Sequence, residues 1–349
     1  MVKTKDAVND MTVGTPAKLI IQFMIPVFLG NIFQQFYNIA DSIVAGQFIG
    51  VKALAAIGST GSLMFFVTGW LNGLSSGFAI LVSQWFGAKQ YDKMRHYVAM
   101  SVYLAGGCAV LMTAGLLIAN EPILRMMNYS AEIMPEVKQY MGIIYAGLIV
   151  TAAYNSLAAF LRAIGDSKSP LYFLIISAVI NVFLDILFIA VINVALDVVF
   201  IVVFGMGVEG CAYATVIAQA ISALLCFIYI VKKFPILHLT KSDRKISFQS
   251  FGRLLSLGIP MGLQFSITAI GTIIVQGAVN VYGETYMAGF SAAGKLQNMI
   301  MTVFVAFGAT VATYVGQNRG AGRMDRVKSG VRCTQVMILV WSVIAMAAV

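Results

Sequence analysis

The sequence predicts an all-α, polytopic membrane protein made of two pseudo-symmetric helical lobes, and three observations carry that expectation. Of its 349 residues, 60% are hydrophobic and only 11% are charged, whereas a soluble domain carries about 25% charged residues. Apolar runs long enough to span a bilayer, roughly 20 residues each, recur between short polar joints. The chain also repeats itself: Ala55–Arg95 aligns without a gap on Ala288–Lys328. This balance excludes disorder, a coiled coil and a water-soluble enzyme.

Helices are expected at about 17–45, 54–86, 95–120, 135–160, 170–204, 208–231, 251–278, 287–316 and 328–349. The formal charge is +9, but the bases sit in the joints and form no single basic face, so nucleic acid is not an expected partner. Alternate joints hold nearly all the Lys and Arg, densest at Lys232, Lys233, Lys241, Arg244, Lys245 and Arg253 and again at Arg319, Arg323, Arg326, Lys328 and Arg332. The opposite joints hold Lys52, Arg125 and Lys138 against Glu121, Glu132, Glu136, Glu209 and Glu284. By the positive-inside rule this is a multi-pass cell-membrane protein with a cytoplasmic N-terminus.

The repeat sets Gly61 on Gly294, Gln84 on Gln317, Gly87 on Gly320 and Asp92 on Asp325. After a one-residue slip, Ile25-Pro26 falls on Ile259-Pro260. With six helices between equivalent points, the halves are expected to be parallel repeats about an axis near the membrane normal. The expected organisation is a six-helix lobe at 1–231, a cytoplasmic linker at 232–250 and three helices of a second lobe at 251–349. That makes nine helices of a twelve-helix protein, with the chain ending inside the ninth. A shorter duplication sets Ile180–Asp185 on Ile192–Asp197. The fifth helix is therefore either some 35 residues long or two short helices; the sequence leaves both open.

Polar groups inside the apolar runs are the candidate site. Asn31, Gln34, Gln35, Asn38 and Asp41 share one face of the first helix. An acid at mid-membrane costs about 2.5–3.5 kcal/mol on insertion scales, so this stripe is expected to face a wet cavity or other helices. The alternative is that Asp41 ends a short helix at the outer interface. Asn181 and Asp185 lie one turn apart in the fifth helix, and Asn193 and Asp197 repeat them. Burial disfavours the charged form of a carboxylate, so such a group can hold and release a proton or a cation; the alternative is an interhelical hydrogen bond. Tyr37, Tyr154, Asn155, Gln264, Thr268, Gln276 and Asn280 either line the same cavity or serve helix packing. Pro26 and Pro260 permit bends at equivalent places in the two halves.

Nothing points to catalysis. There is no phosphate-binding Gly-rich loop with its Lys and Ser/Thr, no metal cluster and no catalytic triad, and the four Cys residues lie in apolar stretches without ligand spacing. His96 and His238 are expected to be solvated joint residues.

Several segments together resemble the multidrug and toxic compound extrusion (MATE) transporters, in particular the bacterial branch of the DNA-damage-inducible F (DinF-like) proteins. They are Ile25-Pro26, Tyr37-Asn38-Ile39-Ala40-Asp41, Ala53–Gly58, Phe160–Asp166 with Ser169-Pro170, Asn181–Asp185, Gly205–Gly210 and Val315–Asn318. The resemblance implies a twelve-helix fold of two lobes around a V-shaped cavity, acting as a monomer without a cofactor. It implies export of small organic cations across the lipid bilayer in exchange for H+ or Na+. Asp41, Asn181 and Asp185 match the family's cation site in the N-terminal lobe, although downstream spacing fits Asn193 and Asp197 equally well. The rival readings are a lipid-linked oligosaccharide flippase of the same superfamily and a non-transporting fragment. A flippase is expected to present a cationic cavity to pyrophosphate, but only Lys295 opposes the acids and amides here. A membrane prenyltransferase is expected to carry paired Asp-rich magnesium motifs, which are absent.

Overall fold

The computed structural model describes residues 10–48, 57, 60–127, 133–190, 208–280 and 284–348. Among these residues there are ten α-helices: α1 Pro16–Phe48, α2 Gly61–Gly87, α3 Tyr91–Met126, α4 Met134–Ala146, α5 Leu148–Ala163, α6 Lys168–Ala190, α7 Val208–Lys233, α8 Phe248–Asn280, α9 Glu284–Gly320 and α10 Met324–Ala348. Seven contain stretches long and apolar enough to cross a membrane, and α4 with α5 forms an eighth such span, bent by 47°. The helix predicted over 135–160 is thus two helices, broken where it packs against α7. A Cβ on Gly147 would collide with the Val216 methyls of α7. The Gly147 amide meets the carbonyls of Ile143 and Ile144, both at 3.0 Å, and the chain turns around Val216. The second copy of the short duplication lies outside the described residues.

The helix starts and stops follow from the sequence. Helix α5 ends in a Schellman motif: the amide of Gly165 (φ 97°) bonds to the Arg162 carbonyl at 2.9 Å, and that of Asp166 to the Leu161 carbonyl at 2.9 Å. Asp166 then starts α6, its Oδ1 accepting the amides of Lys168 (3.1 Å) and Ser169 (3.0 Å). Helices α2 and α9, which the repeat makes equivalent, end alike. The Gln90 amide bonds to the Trp85 carbonyl at 3.0 Å and the Arg323 amide to the Asn318 carbonyl at 2.8 Å. The left-handed residue is Lys89 (φ 57°) in one corner and Gly322 (φ 71°) in the other.

Helix α2 is the central mast, packed most extensively on α8 and also on α5, α9 and α3. Its Gly73 and Gly77 let the backbones touch, since a Cβ on Gly73 would lie 2.5 Å from the Met261 carbonyl and one on Gly77 only 2.6 Å from the Gly258 Cα. Where α2 and α9 end, the contact is reciprocal. A Cβ on Gly87 would strike the Gln317 carbonyl, and a Cβ on Gly320 would strike the Gln84 carbonyl. Residue pairs that exchange partners across a contact mark a two-fold relation, and here it relates the two copies of the repeat. Two apolar clusters fill the first half. One centres on Leu71, Met141, Tyr145 and Cys211, the other on Phe78, Met94, Phe160 and Phe234. A third joins Phe23 and Val27 of α1 to Val303, Phe307 and Tyr314 of α9. The Lys/Arg-rich joints gather at one end, where the 10–15 segment, the end of α5 and the α9–α10 corner meet.

Candidate functional site

Helix α6 lies between α1 and α7, so the two helices bearing the candidate acids are direct neighbours. Asn181 of α6 is fully buried. One turn earlier, Ser177 donates to the Ala218 carbonyl of α7 at 2.6 Å, and Ser222 of α7 donates back to the Phe173 carbonyl at 3.3 Å. Thr151 of α5 donates to the Gln219 side chain of α7, and Ser75 of α2 meets Ser156 of α5 at 3.3 Å. Uncharged hydrogen-bonding pairs therefore join α6 to α7, α7 to α5 and α5 to α2 within the first half. Thr151, Ser177, Gln219 and Ser222 are absent from the site expected from sequence. Thr215, Gln219 and Ser222 share one face of the apolar α7, where only the Gln219 amide is a signal that the sequence makes visible.

Of the expected residues on α1, Asn31 is half-buried and Gln34 is exposed. The α1 backbone carries Tyr37, Asn38 and Asp41 and the α6 backbone carries Asp185, but their side chains lie outside what is described, as do Asn193 and Asp197 entirely. Tyr154 and Asn155 of α5 are half-buried. On α8, Gln264 and Thr268 are exposed, and the Thr268 hydroxyl returns to the Gln264 carbonyl at 2.9 Å; the side chains of Gln276, Asn280 and Lys295 are outside the description. Among the described residues α8 packs on α2, α3 and α9 but on neither α1 nor α6. Its polar residues therefore stand apart from the α1–α6 pair. Pro26 and Pro260 both lie inside continuous helices, and Pro260 sits between Gly258 and Gly262, the stretch pressed against α2.

No group of three or more His, Cys, Asp or Glu side chains among the described residues is placed to hold a metal, and Cys108, Cys226 and Cys333 are free thiols. His96 differs from expectation: it is half-buried and bonded, with Nδ1 3.1 Å from the Asp243 carbonyl and Nε2 2.9 Å from Ser250 Oγ. Asp243, in the 232–250 stretch, is a perturbed acid outside the spans. Burial pushes its carboxyl up, but hydrogen bonds from the Thr240 hydroxyl and amide and from Arg95 outweigh this and hold it below the usual carboxylate range.

The MatE family model matches residues 26–187 and 260–349. A probable multidrug resistance protein of Bacillus subtilis, YpnP, is 30% identical over 322 residues, covering 91% of this chain and 68% of its own length. The chain thus spans about two thirds of that relative. Two solved structures superpose with TM-scores of 0.88 at 21% identity, each covering 99% of this chain and 74% of theirs. One is a superfamily transporter from Pyrococcus furiosus whose reversed binding-pocket polarity is described as suggesting a different function. The other is the outward-facing conformation of a multidrug resistance transporter. At this identity the likeness establishes the two-lobe membrane fold, and substrates have to be argued from the site.

Proposed function

The chain belongs to the MatE family, and from that premise we propose that it is a secondary antiporter that exports small organic cations in exchange for H+ or Na+ by alternating access. The observation that carries this reading is the packing of α1, with its polar stripe ending in Asp41, against α6, with its buried Asn181 and the carboxylate-bearing Asp185 one turn on. On this reading the two acids and the amides of these neighbouring helices share one region of low dielectric. There a proton or cation and a cationic cargo compete for the same negative charge. Aromatic faces such as Tyr37 and Tyr154 favour bulky cations further.

In this reading residues 1–231 form the first lobe, 232–250 the linker and 251–349 part of the second, with the Lys/Arg-rich end in the cytoplasm and the protein working as a monomer. Pro26 and Pro260 are the bending points of α1 and α8. The segments Tyr37–Asp41 and Asn181–Asp185 favour the DNA-damage-inducible F branch. Asn31, Gln34, Asn38, Asn155, Gln264 and Gln276 line the path of the cargo from both lobes.

Efflux of a fluorescent organic cation from vesicles, driven by an imposed H+ or Na+ gradient, tests the assignment. Asp41→Asn should abolish gradient-driven efflux while the protein still folds and inserts, and normal coupled export by that variant rules the role out. Asp185→Asn and Asp197→Asn, made separately, should differ by at least tenfold in residual efflux, because only one copy of the duplication faces Asp41. Equal, negligible effects would remove the α6 site.

A further inference from the structure

Two short segments at the Lys/Arg-rich end are bonded to the wrong half of the molecule. Residues 10–15 lead into α1, yet they dock on the α9–α10 corner. The Met11 amide donates to Gln317 Oε1 at 3.0 Å, and the Met11 carbonyl accepts from Asn318 Nδ2 and Arg326, both at 3.1 Å. Arg326 completes a fork, reaching Asn318 Oδ1 at 2.9 Å and the Gly14 carbonyl at 2.9 Å. Met11, Gln317 and Asn318 are almost wholly buried. Gln317 also donates to the Ala163 carbonyl at the end of α5, at 2.9 Å.

The second segment, 238–250, leads into α8 and docks on the start of α3, beyond the α2–α3 corner. Arg95 Nε donates to Asp243 Oδ2 at 3.0 Å, His96 bridges Asp243 and Ser250, and Arg253 reaches the Tyr97 hydroxyl at 3.4 Å. The two corners are the equivalent ones under the repeat, and between them lies the reciprocal contact of Gly87 and Gly320.

We propose that these segments are exchanged straps that latch the Lys/Arg-rich end of the lobe junction shut: the first opens the first lobe and is fastened to the second, and the other is the linker that leads into the second lobe and is fastened to the first. Separation of the α2 and α9 ends must pull 10–15 off Arg326 and 238–250 off Arg95 and His96. These three are therefore positioning residues that set how often this end opens. The fastening is multidentate and, at the first strap, largely to backbone carbonyls. It depends on the planar fork of Arg326 more than on its charge, and a lysine carries no such fork. The proposal rests on the lobe boundaries given above.

The test uses the whole 349-residue chain in lipid nanodiscs, with native cysteines replaced and spin labels on Lys168→Cys of α6 and Lys328→Cys of α10, both exposed in this structure. Pulsed electron–electron distance measurement needs neither cargo nor transport. The parent should show a dominant short distance and a minor longer one. Arg326→Ala and Arg95→Ala should each raise the longer population several-fold, and the double variant should raise it further. Arg326→Lys should behave like Arg326→Ala. A parent with two populations that neither the alanine variants nor the double variant shifts, at unchanged thermal midpoint, overturns the latch. So does parent-like behaviour of Arg326→Lys, which would leave only a role for charge. A parent locked at one distance under every cation and pH condition would instead remove the moving-lobe reading, and the latch with it.

Discussion

Lys89 and Gly322 occupy the same place in the two copies of the repeat and adopt the same left-handed backbone, φ 57° and 71°. For a residue with a Cβ that conformation costs about 1–2 kcal/mol. Lys89→Gly should therefore stabilise the protein by about 1 kcal/mol, and Gly322→Ala should destabilise it by a similar amount, both read from the thermal midpoint in detergent. Asp243 gives a second test at this scale. Its folded pKa is depressed, so its contribution is complete above the ordinary carboxylate value, about 3.9, and is lost as the pH falls through the lower folded value. The stability gap between the parent and Asp243→Asn should thus be present at pH 7 and shrink as the pH falls below about 4. A gap that widens on acidification would contradict the hydrogen bonds from Thr240 and Arg95 as its cause.

Among elements, the bent pair α4–α5 shows what was and was not legible in advance. Apolar run length and the positions of basic joints located the helices, because both are properties of single segments. The break at Gly147 was not legible, since it is set by Val216 some seventy residues later, on α7. Gly147→Ala should cost about 1–3 kcal/mol through overpacking, and Val216→Ala in the same chain should recover much of it, giving a measurable coupling; strictly additive losses would place the cause of the bend elsewhere. The candidate site divides in the same way. Asn181 stood out as an amide in an apolar run, whereas Thr151, Ser177 and Ser222 are small hydroxyl residues that helices tolerate anywhere. Their partners on neighbouring helices, Gln219 and the carbonyls of Ala218 and Phe173, appear only once α5, α6 and α7 are packed. Nothing near His96 in the chain predicts its bonds, because its partners, Asp243 and Ser250, lie about 150 positions away.

At the scale of the whole molecule, the gap-free repeat pairs Gly87 with Gly320 but says nothing of contact; that α2 and α9 meet there emerges from the fold, where a Cβ on either glycine would enter a carbonyl oxygen of the other helix. Gly87→Ala or Gly320→Ala should force these helix ends apart and lower the thermal midpoint clearly. Gly106→Ala and Gly115→Ala, whose Cβ atoms would enter open space, should leave it within error. Equal losses at all four positions would mean that α2 and α9 do not touch there in the membrane. The exchanged fastening also bears on how the protein is made. Met11 leaves the ribosome well ahead of its acceptor Gln317, which follows 306 residues later. At translation rates of roughly 5–20 residues per second the leading segment waits about 15–60 s for its partner. If the strap latches this end, its closure is a late, long-range step in the making of the protein.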